Sequence, residues 1–302
     1  MSLKYRAQVP PGVGALSMSV NLVPITDDDA HRVAWFLHEH LNEKVALQDW
    51  MSAVAPPWPV DKPNAGYMLL DGDAVVGVYL AFYFQRRIDG RDERFCNLGA
   101  WCVLPRYRLH SVRLVKALLA QDGYHFTDLS PMEHAARLNM RLGFRLLSEP
   151  VLLVPNLPLG RWPRDHVISS DPAVIRETLD GDDLRLYRDH LGAAAVTHVV
   201  LRHGDERCYV ALRRERRKRL PLFMTVLHVT NPELLRALAA PFAWHLLTRH
   251  GVVAQLAEER VLRRRPRVAL PLRRPNRKMF RSDRLRPDQV DYLYSKLACI
   301  RW

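Results

Sequence analysis

The residues from 95 to 121 change character halfway along, and this change restricts the fold more than any other feature of the sequence. FCNLGAWCVL (95–104) has the apolar character of a buried strand, whereas the residues after Pro105 carry apolar side chains at helical spacing as far as Gln121. Another strand pattern, YHFTDLS, follows from Tyr124. Because a strand that reaches its neighbour through a helix runs parallel to it, we expect a parallel strand pair here.

The elements around this unit predict the rest of the first half. Strand patterns cover 20–25, 66–70 and 74–84, and DGD between the last two is a hairpin turn. Helical patterns cover 26–41, 45–54 and 131–142, and a last strand is expected over 144–154. The order β-α-α-β-β-β-α-β-α-β predicts an α/β fold, with a mixed, mostly antiparallel sheet flanked by helices.

Several cationic residues lie at the junction between this strand and the following helix. Arg106, Arg108 and Arg113 surround the expected helix start, and Ser111 can add a hydroxyl. The first turn of a helix has unpaired N–H groups and the positive end of the helix dipole. Such an end is suited to a phosphate or pyrophosphate, so we expect an anion site at this junction.

Two motifs give residues 20–155 a resemblance to the GNAT superfamily of N-acyltransferases. VLPRYR (103–108) matches the family's V-x-P-x-Y-R, and ARLNMRLGF (136–144) is similar to its A-x-x-x-Y-x-x-x-GF helix end. The resemblance implies acetyl-CoA or another acyl-CoA as cosubstrate and direct transfer of the acyl group to an amine. Ser111 and Arg113 replace small glycines of the family's loop, and Asn139 replaces a tyrosine that often serves as general acid. The coenzyme-binding residues implied are Val103, Arg108, Leu109, His110, Ser111, Val112, Arg113 and Asn139.

The resemblance also implies where acyl transfer would take place. A backbone N–H near Trp101 would polarise the thioester carbonyl. The strand FCNLGAWCV itself carries no carboxylate, and the nearest ones are Asp92 and Glu93 before it and Asp128 on the next strand. Asp128 is the candidate base, with a helix-capping role as the alternative. Cys102 would lie near the thioester, where it is either a nucleophile or a small core residue.

The second half carries the whole excess of positive charge. Residues 1–150 hold 16 Lys and Arg against 16 Asp and Glu, whereas residues 151–302 hold 29 against 16, which gives the chain its net +13. Its strands and helices repeat the order of the first half, and from that order alone we predict a second, degenerate GNAT-like domain without a coenzyme. The expected organisation is a tail at 1–19, a catalytic domain at 20–155 and a basic domain at 156–302.

Charge and composition indicate which classes of partner the protein binds and where in the cell it is located. Cationic runs at 213–219, 263–267 and 273–278 are either solvated loops or a surface for an anionic macromolecule. The expected partners are therefore acyl-CoA, a small-molecule or carrier-bound amine acceptor and, as an open alternative, that macromolecule. A non-catalytic protein that binds a polyanion or a carrier protein through a decayed GNAT fold is the competing hypothesis. The four cysteines show neither CxxC pairs nor zinc-ligand spacing, and no apolar run approaches the ~20 residues of a membrane span, so a cytoplasmic protein without metal is expected.

Overall fold

The computed structural model describes residues 19–147, 150–217, 220–266, 268–272 and 277–301. All but the last residue of the expected N-terminal tail lies outside these ranges. So do parts of the three cationic runs, namely residues 218–219, 267 and 273–276.

The first half has the predicted order of elements. They are β1 (Val20–Pro24), α1 (Ala30–His40), α2 (Leu47–Val54), β2 (Gly66–Asp71), β3 (Ala74–Ile88), β4 (Arg91–Val103), α3 (Ser111–Leu119), β5 (His125–Asp128), α4 (Glu133–Arg141) and β6 (Arg145–Leu146). Short 3-10 turns at Asp27–Asp29 and Pro105–His110 lead into α1 and α3.

From its second strand onward, the second half largely repeats this order. Its elements are β7 (Val151–Pro155), β8 (His166–Ser169), α5 (Pro172–Thr178), α6 (Gly181–Asp189), β9 (Val196–His203), β10 (Glu206–Arg217), β11 (Leu220–Val229), α7 (Pro232–Ala237), α8 (Ala239–His250), β12 (Ala254–Glu258), α9 (Glu259–Leu262), β13 (Leu270–Pro271), β14 (Met279–Arg281) and α10 (Lys296–Cys299). A 3-10 turn at Pro287–Gln289 precedes the C-terminal segment.

The strands form two seven-stranded sheets of the same design. The first has the order β1-β2-β3-β4-β5-β14-β6 and the second β13-β7-β12-β11-β10-β9-β8. Each is antiparallel except for one pair, β4 with β5 in the first and β11 with β12 in the second. The predicted fold class, two mixed and mostly antiparallel sheets flanked by helices, is confirmed.

The two predicted domains, 20–155 and 156–302, exchange one strand each. β14, from the end of the chain, pairs with β5 and β6 of the first sheet, while β7 pairs with β12 and β13 of the second. The single strand predicted over 144–154 is therefore wrong: β6 and β7 belong to different sheets. Pro150 lies between them, and a proline cannot donate to a strand ladder. The domain limits at 20–155 and 156–302 stay a prediction, across which these strands are shared.

An apolar core joins the halves through the C-terminal segment. Trp58 of the first half has its ring centroid 5.5 Å from that of His190 and 5.3 Å from that of Tyr294. Pro287 and the residues after it favour a terminal helix through Leu297, but between the 3-10 turn and Lys296 the structure forms none, because four consecutive side chains from Tyr292 to Ser295 are all buried. A surface helix would turn some of them to solvent.

Candidate functional site

The strand β4 departs from regular geometry close to its end. Its pairing with β3 shifts between Val78 and Leu80, and Ala100 has a φ of 54°, a left-handed conformation that costs a residue with a side chain about 1 kcal/mol or more. The bulge re-aims the strand. β5 ends at Asp128, which pairs with Leu98, while β4 runs on to Val103. Beyond this pair β4 has no partner in β5, which leaves an opening beside the end of β4.

A cleft of about 440 Å³ lies against the end of β4 and the starts of α3 and α4. Its walls bring together five of the residues predicted for the site: Trp101, Cys102, Val103, Arg108 and Ser111. The remaining walls come from the end of α1 and from Met132 and His134 before and within α4.

The turn between β4 and α3 is held from both sides. The hydroxyl of Tyr107 donates to Asp71 Oδ2 at 2.6 Å, which fixes the turn to the β2–β3 hairpin. Ser111 Oγ donates to the Arg108 carbonyl oxygen at 2.6 Å, and the Ser111 N–H bonds to the same oxygen. Ser111 therefore has to give up these bonds if it is to bind a phosphate.

The other residues predicted at this turn do not line the cleft. Leu109 is 94% exposed and Val112 is 37% exposed. Arg113 donates to the carbonyl oxygen of Val20 in β1 at 2.7 Å, and His110 Nδ1 lies 3.4 Å from the same guanidinium. The structure thus leaves Arg108 as the predicted cation that lines the cleft, and the coenzyme-binding roles of the others stay predictions.

Asp128 and Asn139, predicted separately, lie together in the interior. Asp128 is 4% exposed and Asn139 is fully buried, and Asn139 Nδ2 donates to Asp128 Oδ2 at 3.0 Å. The N–H of Ser130 donates to Asp128 Oδ1 at 3.4 Å, which is the capping contact considered as the alternative for this carboxylate. The carboxylate can cap this turn and still accept a proton, so its role as base stays a prediction.

Two aromatic side chains lie close to this pair. Tyr79 stacks on Trp101 with ring centroids 4.8 Å apart. Burial and the charge of Asp128 raise the pKa of the Tyr79 hydroxyl, which also makes a hydrogen-bonding contact with the Asn139 side chain. Trp101 Nε1 is buried without a hydrogen bond among the described residues, and Trp101 lines the cleft, whereas Tyr79 and Asn139 do not. The sequence offers Tyr79 either as an aromatic that lines an acceptor groove or as a core residue, and its burial favours the core.

A lysine from the far end of the chain reaches the same opening. Lys296 of α10 is 9% exposed, and a Cβ placed on Gly99 of β4 would lie 2.9 Å from its Cδ. Burial raises the pKa of Asp128, and the nearby positive charge of Lys296 opposes that rise. Burial also lowers the pKa of Lys296. Both shifts favour the uncharged forms of the two groups.

Cys102 is unsuited to nucleophilic attack in this state. Burial raises the pKa of its thiol to about 11, so the thiol is protonated at neutral pH. Its Sγ lies 3.5 Å from the carbonyl oxygen of His40, and no imidazole or carboxylate in the described part of the chain bonds to it. The geometry favours the alternative in which Cys102 only lines the cleft.

Several cations of the second half are structural. Arg213 is 5% exposed and donates to Glu215 Oε1 at 2.8 Å, and Lys278 Nζ donates to Glu258 Oε1 at 2.6 Å. Arg214 bonds to the carbonyl oxygen of His250 at 2.7 Å. Within the ranges that the structure describes, no helix is long and apolar enough to cross a membrane, and no three candidate ligands cluster as in a metal site.

Comparison with known proteins gives matches in structure only. No family model matches the sequence, and no curated protein matches it. A GCN5-related N-acetyltransferase from Anabaena variabilis matches with a TM-score of 0.58 at 12% identity, over 86% of this chain and 72% of that one. One from Kribbella flavida matches with a TM-score of 0.56 at 15% identity, over 89% and 72%. A protein from Pyrococcus horikoshii matches with a TM-score of 0.53 at 11% identity, over 98% and 97%.

These identities are too low to carry an activity from one chain to another, but the agreement in architecture extends over most of each chain. The chain therefore has the GNAT fold of the GCN5-related N-acetyltransferases.

Proposed function

We propose that this protein is an acyl-CoA-dependent N-acyltransferase whose reaction takes place in the first half. The observation that supports it most is the coincidence of three features at one place: the bulged end of β4, the opening beside β5, and the cation-bearing turn into α3. Acetyl-CoA is the first candidate cosubstrate, because solved proteins of this fold include N-acetyltransferases. The acceptor is an amine, free or on a carrier.

The residues at the cleft fit the anionic part of a coenzyme A. Arg108 and Ser111 line it at the start of α3, where the helix dipole also favours negative charge. The unpaired Trp101 Nε1 adds a donor further along β4. When bound, the cosubstrate supplies a thioester, whose carbonyl carbon is open to attack by an amine.

The residues of the chain take the following parts in this proposal. A backbone N–H of β4 near Trp101 polarises the carbonyl, which stabilises the negative charge that develops on its oxygen. Asp128 accepts the proton of the attacking amine, directly or through water, as the C–N bond forms. The C–S bond of the thioester then breaks, and the departing coenzyme A thiolate takes a proton from water. Asn139 releases no proton at neutral pH and instead holds the carboxylate in place through its 3.0 Å hydrogen bond.

The second half has a supporting part in this proposal. We assign catalysis to the domain at 20–155 and a degenerate GNAT-like role to 156–302, which supplies β14 and Lys296 to the first half. A cytoplasmic location and the binding of an anionic macromolecule by the remaining cations are part of the same proposal.

Calorimetric titration with coenzyme A tests the binding step without knowledge of the acceptor. Arg108→Ala should weaken binding by about tenfold or more, since a charge-assisted hydrogen bond contributes about 1.5–3 kcal/mol. Arg137→Ala is the matched control, because Arg137 is exposed on α4 and makes only a surface ion pair with Glu133. Absence of coenzyme A binding to the unmodified protein, or equal affinity in Arg108→Ala, would rule out this site.

A further inference from the structure

A second and larger cleft lies in the second half and shares no lining residue with the first. It encloses about 640 Å³ between the end of β8, the start of α5 and the last turns of α8. Sites for small molecules typically enclose about 300–1,000 Å³, so this cleft has the size of a ligand site. Nothing in the proposed acyl transfer uses it.

Two indole rings stand half-exposed at this cleft. Trp162 and Trp244 are each 48% exposed, although tryptophan is highly buried on average. Trp162 has a T-shaped contact with His166 at 6.4 Å, and Trp244 stacks on no aromatic ring of the described residues. A flat apolar ring with a free face is suited to cover one face of a ring-shaped ligand.

A serine hydroxyl beside these rings is shared by two imidazoles. Ser170 Oγ lies 3.0 Å from His245 Nε2 and 2.9 Å from His250 Nε2. Burial lowers the pKa of His245 to about 4 and also lowers that of His250, so both rings are neutral at pH 7. A hydroxyl has one proton, so Ser170 donates to one ring and accepts from the other.

The hydrogen bonds to Ser170 determine which of the two imidazoles carries a proton on Nδ1. The ring that donates through Nε2 has a bare Nδ1, and the ring that accepts through Nε2 has a protonated Nδ1. Neither Nδ1 of His245 and His250 bonds to another described residue. The pair therefore presents one donor and one acceptor, which is the combination that a hydroxyl group can satisfy.

The charges at the cleft balance. Asp171 and Arg249 are its charged lining residues, one of each sign, within a half of the chain that carries the whole positive excess. One carboxylate oxygen of Asp171 accepts a hydrogen bond from the N–H of Ala173 at 2.7 Å. A balanced cleft does not favour a phosphorylated or otherwise strongly charged ligand.

We propose that this cleft binds a neutral carbohydrate. One face of the sugar ring lies on Trp162 or Trp244, and its hydroxyls exchange hydrogen bonds with the group formed by Ser170, His245 and His250. A sugar combines an apolar ring face with hydroxyls that donate and accept, which matches the two indoles and the mixed donor and acceptor pair. The inference is independent of acyl transfer in the first half.

Calorimetric titration of the full-length protein with glucose, N-acetylglucosamine, maltose and cellobiose tests it, with adenosine and glucose 6-phosphate as comparators. At least one neutral sugar should bind saturably, and Trp162→Ala or Trp244→Ala should weaken it by about tenfold or more. Ser170→Ala should also weaken it, because the paired imidazoles lose their shared hydroxyl. Trp35→Ala is the matched control: Trp35 is 53% exposed on α1, outside this cleft, so its loss should leave the affinity unchanged.

Three outcomes would overturn the inference. The first is that no sugar binds saturably to the unmodified protein. The second is that both tryptophan variants, shown by thermal unfolding to be folded, keep the unmodified affinity. The third is that adenosine or glucose 6-phosphate binds more tightly than every neutral sugar, which would assign the cleft to base stacking or to an anion.

Discussion

The buried pair of Lys296 and Asp128 allows a sharp test of how the two halves cooperate. Lys296→Met removes the ammonium but keeps an unbranched apolar stem, so the contact with Gly99 is preserved. Asp128 is then left 4% exposed, with a 3.0 Å bond from Asn139 and a long 3.4 Å bond from Ser130. No hydrogen bond or close ion pair joins the two groups, so Lys296→Met removes only their Coulombic attraction. At an effective dielectric constant of about 20 this attraction is below about 4 kcal/mol for charges more than about 4 Å apart, and we expect a loss of about 2 kcal/mol.

The loss of unfolding free energy in Lys296→Met should increase with pH. Without the neighbouring positive charge the pKa of Asp128 rises further above its ordinary value, because burial is then opposed less. The penalty applies while the carboxylate is ionised in the unfolded chain and is relieved as Asp128 becomes protonated. The destabilisation should therefore be larger at pH 8 than at pH 5.

Urea unfolding of three variants tests whether the charges of Lys296 and Asp128 compensate each other. The double variant Lys296→Met/Asp128→Asn has neither charge and should regain most of the stability that Lys296→Met loses, since a neutral pair is often as stable as an ionic one. Lys116→Met, on the exposed face of α3, should stay within about 0.5 kcal/mol of the unmodified protein. If Lys296→Met costs less than about 1 kcal/mol, or if the double variant is no more stable than the single one, the two charges do not compensate each other.

Two further results follow from the same structure. Asp128→Asn should lower kcat by about 10²-fold or more in an acyl-transfer assay while coenzyme A affinity, measured by calorimetry, stays within about threefold; full activity would leave the residue with its capping role alone. Burial raises the pKa of Glu258, but Lys278 and Arg260 outweigh this and hold it below 4.5. Glu258→Gln should therefore cost about 3 kcal/mol at pH 7, and the difference should shrink as the pH falls through that lowered pKa; a constant difference in urea unfolding between pH 7 and pH 3 would contradict this.

The sequence allowed the fold class and part of the site to be predicted because their signals are local. The change from strand to helix at Pro105, the apolar periodicity of α1 and α3 and the Gly143 turn depend on neighbouring residues. The closeness of Asp128 and Asn139 also follows from local order, since β5 leads directly into α4. A residue's place in such a short unit is fixed by the geometry of strands and helices alone.

What could not be predicted depends on pairing between distant parts of the chain. Met279–Arg281 and Val151–Pro155 read as ordinary short strands, and neither contains a signal that it belongs to the opposite sheet. Lys296 similarly reads as a surface lysine of a terminal helix. Arg113 likewise bonds to the carbonyl oxygen of Val20, 93 residues earlier in the chain, which no local pattern indicates.

The exchanged strands give the site its dependence on the second half. β14 fills the place between β5 and β6, so the sheet that carries Asp128 is continuous only when the C-terminal segment has folded onto it. The same segment then places Lys296 at Gly99, where glycine leaves room for its stem. Because Met279 pairs with Asp128 itself, the backbone of the candidate base is fixed by a strand about 150 residues away in the chain. A second half without chemistry of its own would thus still be needed for catalysis in the first, since it completes the sheet and sets the charge beside Asp128.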